Sequence, residues 1–262
     1  MERPEHEPPW RIRPGTLPVV AAAIHCGHVM RPEVAALTAL GDEDRRREED
    51  PHTERLLPDG ATQVVVDRSR FEVDLNRSRD AAVYRTPEDA WGLMLWKTPL
   101  PPAVVQDSLA LYDRFYAELD HLLQAQIRRH GRLLVLDMHS YNYRRQGPHA
   151  PAQAPAQTPE INLGTGPLDG RWPAVTERFV DVLSSMPFLG GHLDVRQNVR
   201  FKGGHLCRHV AEHFGDRVCP LAVEVKKIFM DEWSGQVYPE RLAALETAFS
   251  RLLPELLDAL KR

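Results

Sequence analysis

Two short segments of the chain carry residue types that hold metal ions. His25-Cys26-Gly27-His28 ends one apolar run, and Asp137-Met138-His139-Ser140 ends another. Imidazole is a common zinc ligand, and three protein ligands with a fourth position left open make a catalytic site. Two histidines three residues apart converge on one ion if the chain turns between them, and Gly27 permits a turn. His139 would arrive from the neighbouring strand end. The expectation is therefore one divalent ion, zinc or another, held by His25, His28 and His139, with Asp137 placed to support a ligand from behind. Cys26 points away if both its neighbours bind, and reads as a packing residue. The competing reading is that the histidines only cap strand ends.

A catalytic zinc needs a base for the proton of its water. Glu224 is the candidate, because it sits inside the apolar run Ala222-Val223-Glu224-Val225, where an acid needs a partner or a function. The alternatives are a structural salt bridge to an internal arginine, or direct ligation. Asn76-Arg77 offers a clamp for a carboxylate, since a guanidinium binds it through two parallel hydrogen bonds. Arg200-Phe201-Lys202-Gly203-Gly204-His205 adds two cations and a histidine around glycines that allow close backbone approach. Its competing reading is an ordinary turn with solvated charges.

These residues need elements to position them. Residues 17–24 and the run LLVLDMHS read as buried strands ending in polar groups, and residues 220–231 read as a third strand. Residues 103–130 carry apolar side chains at helical spacing, with Gly131 as the stop. Helices are also expected at 31–40, 176–186 and 205–215, and at the C-terminus, where Pro254 is a possible kink. Residues 62–75 and 193–205 read as strands or extended arms. The charge-dense stretch GDEDRRREEDPHTERLL reads as a solvated helix and loop. Strands alternating with helices predict an α/β fold with a mixed, mainly parallel sheet covered on both faces. In such sheets, sites lie at the carboxyl ends of strands. The expected layout is an extended, proline-rich lead over residues 1–17 and one domain over 18–262, with a mobile Pro/Ala-rich loop at about 146–159.

The 262 residues are 42% hydrophobic and 27% charged, an ordinary globular composition. With 33 basic against 37 acidic residues, the formal charge of -4 argues against a dedicated nucleic-acid binder. Three cysteines fit a reducing compartment better than a disulfide framework. No apolar run approaches the roughly 18 residues of a membrane span, and the polar N-terminal segment lacks a signal-peptide core. The expected location is the cytoplasm.

Several blocks together resemble the N-formylglutamate amidohydrolase family: Ala23-Ile24-His25-Cys26-Gly27-His28, Val73-Asp74-Leu75-Asn76-Arg77, Leu136 to Asn142, Asn198 with Lys202-Gly203-Gly204, and Glu224 with Phe229-Met230-Asp231-Glu232. They occur in the family's order and span about residues 20–235. That family is similar to the zinc carboxypeptidases, so the resemblance implies their phosphorylase/hydrolase-like fold. It implies metal ligands at His25, His28 and His139, a carboxylate-binding pair at Asn76 and Arg77, and a base at Glu224. The family pattern has a glutamate in the second ligand position, where this chain has His28. Glu49 or Glu54 in the acidic segment is the alternative. The implied activity is zinc-dependent hydrolysis of an N-formyl or N-acyl amino acid; Lys202 or Arg200 takes a second carboxylate if the substrate is glutamate-like, and His205 is counted with them as a substrate-binding residue. A carboxypeptidase-like peptidase and a non-catalytic carboxylate binder are the other readings.

Overall fold

The computed structural model describes residues 8–262. The first seven residues of the expected N-terminal lead lie outside the described residues. The rest of that lead contains β1 (Trp10–Arg13), which pairs antiparallel with β3 (Thr62–Val66) at the sheet edge. The sheet continues through β2 (Val19–Ala23), β4 (Leu133–Tyr141), β9 (Val218–Lys226), β5 (Ile161–Gly164) and β8 (Val195–Gln197). β3, β2, β4 and β9 run parallel to one another, and β5 with β8 runs antiparallel to β9. β6 (Pro187–Phe188) and β7 (Gly191–His192) form a separate small hairpin.

Strand alternation sends side chains to two cores. Val19, Ala21 and Ala23 of β2, Leu134, Leu136 and Met138 of β4, and Leu221, Val223 and Val225 of β9 face one side. They pack there on α4 (Pro173–Ser185) and α6 (Pro239–Leu260). Val20 and Ala22 of β2, Leu133 and Val135 of β4, and Val218 of β9 face α3 (Pro102–His130) and α5 (His205–Phe214). Helices thus cover both faces, and strands buried on both sides read as continuous apolar runs. Pro254 lies inside α6 and does not end it. Among the described residues no helix is long and apolar enough to cross a membrane.

The charge-dense stretch departs from the solvated reading. It holds α2 (Asp42–Glu48), which follows the short α1 (Pro32–Leu37). The residues just beyond α2 turn inward, leaving Glu49 1% and Asp50 3% exposed. Their carboxylates have partners that no local pattern announces: His28 and Ser69 for Glu49, and His139 for Asp50.

Candidate active site

Four parallel strands place their carboxyl ends along one edge of the sheet, and the chemistry gathers there. In β4, Asp137 and His139 continue the alternation of Leu133 and Val135, so they project on the α3/α5 face. In β9, Glu224 shares the parity of Val218 and stands directly opposite His139 in the parallel register. His25 follows β2 by two residues. Asp50 reaches the same point from the segment beyond α2, where its backbone N–H donates to the His25 carbonyl at 2.9 Å.

His25, Asp50 and His139 form one donor cluster, with ligand atoms all within 4.8 Å of one another. Nδ1 of His139 is 3.0 Å from Asp50 Oδ2, and Nδ1 of His25 is 3.6 Å from the same oxygen. The opposite ring nitrogens are backed by carboxylates. Nε2 of His25 bonds Asp74 Oδ1 at 2.7 Å, and Nε2 of His139 lies 2.9 Å from Asp137 Oδ1. Arg70 and Tyr84 donate to the other oxygen of Asp74. Carboxylates behind imidazoles fix the tautomer and orientation of metal-binding histidines.

The residues present fit a divalent cation. Nδ1 of His25 is buried without a hydrogen-bond partner, a costly state for a polar atom. Asp50, Asp74, Asp137 and Glu224 are all buried around the two imidazoles, and of these four carboxylates only Asp74 is paired with an arginine. Burial alone would lower the pKa of His139, but the charge of Asp137 and its contacts with Asp137 and Asp50 outweigh burial and hold it well above the ordinary value. Burial likewise favours a neutral Asp50, yet the hydrogen bond to His139 and the nearby charges of His139 and His25 keep its carboxyl below the usual range. Two nitrogens and a carboxylate oxygen suit zinc, which accepts mixed donors of this kind.

His28 does not join this cluster. Its Nδ1 bonds Glu49 at 2.6 Å, and its Nε2 faces Arg45 at 2.9 Å. The expected trio of His25, His28 and His139 is thus replaced by His25, Asp50 and His139. Neither Glu49 nor Glu54 supplies the third donor. The reason lies at Gly27, whose role is close approach. A Cβ there would fall 2.2 Å from the Asp67 carbonyl carbon. Val29 then pairs with the continuation of β3, its N–H donating to the Asp67 carbonyl. The chain after His25 follows β3 outward and carries His28 towards α2. Gly27→Ala is expected to cost about 1–3 kcal/mol through overpacking. At about 2–4 °C per kcal/mol, thermal unfolding should show the loss, and an unchanged midpoint would contradict the close approach.

A cleft of about 350 Å³ opens over the cluster. Glu224, Asn76, Arg77, Arg145, Arg200 and Lys202 line it, with Arg70, Trp91 and Lys227, which motif reading does not single out as site residues. Burial pushes the Glu224 carboxyl up to about 7. Arg77 stacks on Tyr84 and donates to the Asp89 carbonyl at 2.8 Å. Arg200 lies over Tyr141 and donates to Gln153. The Asn76 side chain is engaged at both ends, since its Nδ2 meets His139 at 3.1 Å and its Oδ1 accepts from the Leu206 N–H. Gly204 makes room for it, since a Cβ there would overlap the Asn76 amide. His205 is not brought to the cleft. Its N–H donates to the Asn76 carbonyl, and its ring packs near Tyr112 and Tyr116.

An α/β sheet carrying a His/Asp donor cluster able to hold a metal ion, a buried carboxylate and a cationic cleft at its strand ends has the equipment of a hydrolase. The chain belongs to the N-formylglutamate amidohydrolase family, whose model matches residues 17–230. It is 30% identical to the N-formylglutamate deformylase of Pseudomonas aeruginosa, over 94% of this chain and 93% of that protein. It is 28% identical to the corresponding enzyme of Pseudomonas putida, over 93% of each. The crystal structure of N-formylglutamate amidohydrolase from Ralstonia eutropha superposes with a TM-score of 0.77 at 19% identity, covering 98% of this chain and 99% of that one.

Proposed function

We propose that the protein is a metal-dependent amidohydrolase that cleaves the formamide of N-formylglutamate, or of a close N-acyl amino acid, to a carboxylic acid and a free amino acid. The observation that carries this reading is the meeting of the His25–Asp50–His139 donors, Glu224 and a cationic wall in one small cleft. Its volume lies near the lower end of the roughly 300–1,000 Å³ usual for ligand pockets, which suits an amino-acid derivative better than a peptide. The names of the Pseudomonas relatives point to the same substrate.

When bound at His25, Asp50 and His139, a divalent ion, zinc first, supplies Lewis acidity and lowers the pKa of a water. Glu224 takes the proton of the attacking water and hands it to the departing nitrogen as the C–N bond breaks. Asp74 holds the imidazole of His25 in orientation, and the charge of Asp137 stands beside Nε2 of His139. Arg77 receives a substrate carboxylate, and Arg200 with Lys202 receives a second one.

The test is release of formate and glutamate from N-formyl-L-glutamate by the purified protein, before and after metal chelation. Activity should depend on metal, and absence of release from every N-formyl amino acid tried would overturn the reading. The parent should also prefer the free carboxylate over its carboxamide. A hydrogen bond to a charged group contributes about 1.5–3 kcal/mol, or about 10- to 150-fold in rate. Arg77→Ala should lose that preference while keeping its metal, and equal discrimination by both proteins would remove Arg77 from the role.

A further inference from the structure

Lys227 follows β9, three residues beyond Glu224, and is 1% exposed. A buried ammonium beside a set of cation ligands needs a reason, because its charge opposes the cation that the set would hold. Its hydrogen bonds supply one. Nζ donates to the Arg47 carbonyl at 2.6 Å and to the Glu49 carbonyl at 2.8 Å. Asn142 Nδ2 donates to the same Arg47 carbonyl at 2.8 Å. These carbonyls lie at the C-terminal end of α2, where a helix leaves acceptors without intrahelical partners and where cations are favoured.

The next residue is Asp50. Its N–H is held by the His25 carbonyl, so the backbone is tied on both sides of the peptide unit that launches its side chain. One tie leads to the end of β2 and the other to the end of β9. We infer that Lys227 is a positioning residue that fixes Asp50 in the donor cluster by clasping the end of α2. The assignment rests on the metal-centre reading above and deepens it.

The sign of the effect separates positioning from electrostatics. Removing a nearby positive charge would by itself tighten cation binding, whereas releasing the Asp50 segment weakens it. The experiment titrates Co²⁺, a probe whose visible spectrum reports its ligand set, into metal-free full-length protein. Parent, Lys227→Met, Asp50→Ala and the double variant are compared. Loss of an outer support costs about 10–100-fold in metal affinity, and Lys227→Met is expected to show that loss with an altered cobalt spectrum. In the Asp50→Ala background the same substitution should add little, since groups acting through one another are not additive. Unchanged or tighter binding in Lys227→Met with the parent spectrum, or full additivity with Asp50→Ala, would overturn the assignment. If Lys227→Met does not fold, Lys227→Gln, which keeps one donor, carries the same comparison. A parent that takes up no Co²⁺ overturns the metal centre itself, and the role of Lys227 with it.

Discussion

Glu224→Gln is expected to lower kcat by about 10²–10⁴-fold, the usual contribution of a general base, while leaving metal content and thermal stability close to those of the parent. The side chain is buried, lines the cleft and stands across from His139 in the strand register. Among the described residues no ion pair or hydrogen bond engages its carboxylate, so the internal arginine partner considered from sequence is not what holds it. Nor does it belong to the donor cluster. Burial raises its pKa to about 7, a value at which a carboxyl both takes and returns a proton near neutrality. Glutamine keeps the volume and removes the proton acceptor, so the fold and the metal should stay. Steady-state kinetics with N-formyl-L-glutamate, paired with elemental analysis, reads both halves. A kcat within tenfold of the parent would take the base role from Glu224.

Three residues of the candidate site were legible because each ends or interrupts an apolar run. His25, His139 and Glu224 lie at or near the ends of strands whose both-sided burial makes them stand out. α3 was legible for a similar reason, since its apolar stripe repeats over 29 residues and stops at Gly131. β5 has four residues and follows the Pro/Ala-rich segment, too short a run to declare itself, and β1 sits in a lead that reads as extended. Asp50 was illegible for a deeper reason. In sequence it belongs to a stretch where acids and bases alternate, the pattern of a solvated face. Its burial depends on Lys227, His139 and the His25 carbonyl, groups distant in sequence. Asp74 lay inside a motif noticed for Asn76 and Arg77, yet it holds the imidazole of His25. Local periodicity found the strands, but long-range ion pairing selected which acids turn inward.

Asp50→Asn should reduce metal affinity by more than about 100-fold, since loss of a ligand should exceed the 10–100-fold cost of losing a support behind one. The asparagine keeps the shape and can still accept a hydrogen bond from His139, so the fold is expected to survive. Turnover should fall with the metal and recover in part at high metal concentration. His28→Ala gives the contrasting result. His28 is bound to Glu49 and faces Arg45, away from the donors, so its loss should leave metal content near that of the parent. It should instead cost stability, because a buried acceptor that loses its partner costs about 1–3 kcal/mol. Glu49 keeps its bond from Ser69 Oγ at 2.5 Å, which places the cost towards the lower end. Dialysis against metal-free buffer followed by elemental analysis, with thermal unfolding of the same samples, distinguishes the two positions. Loss of metal from His28→Ala with retention in Asp50→Asn would restore the histidine pair suggested by the spacing of His25 and His28 and remove Asp50 from the site.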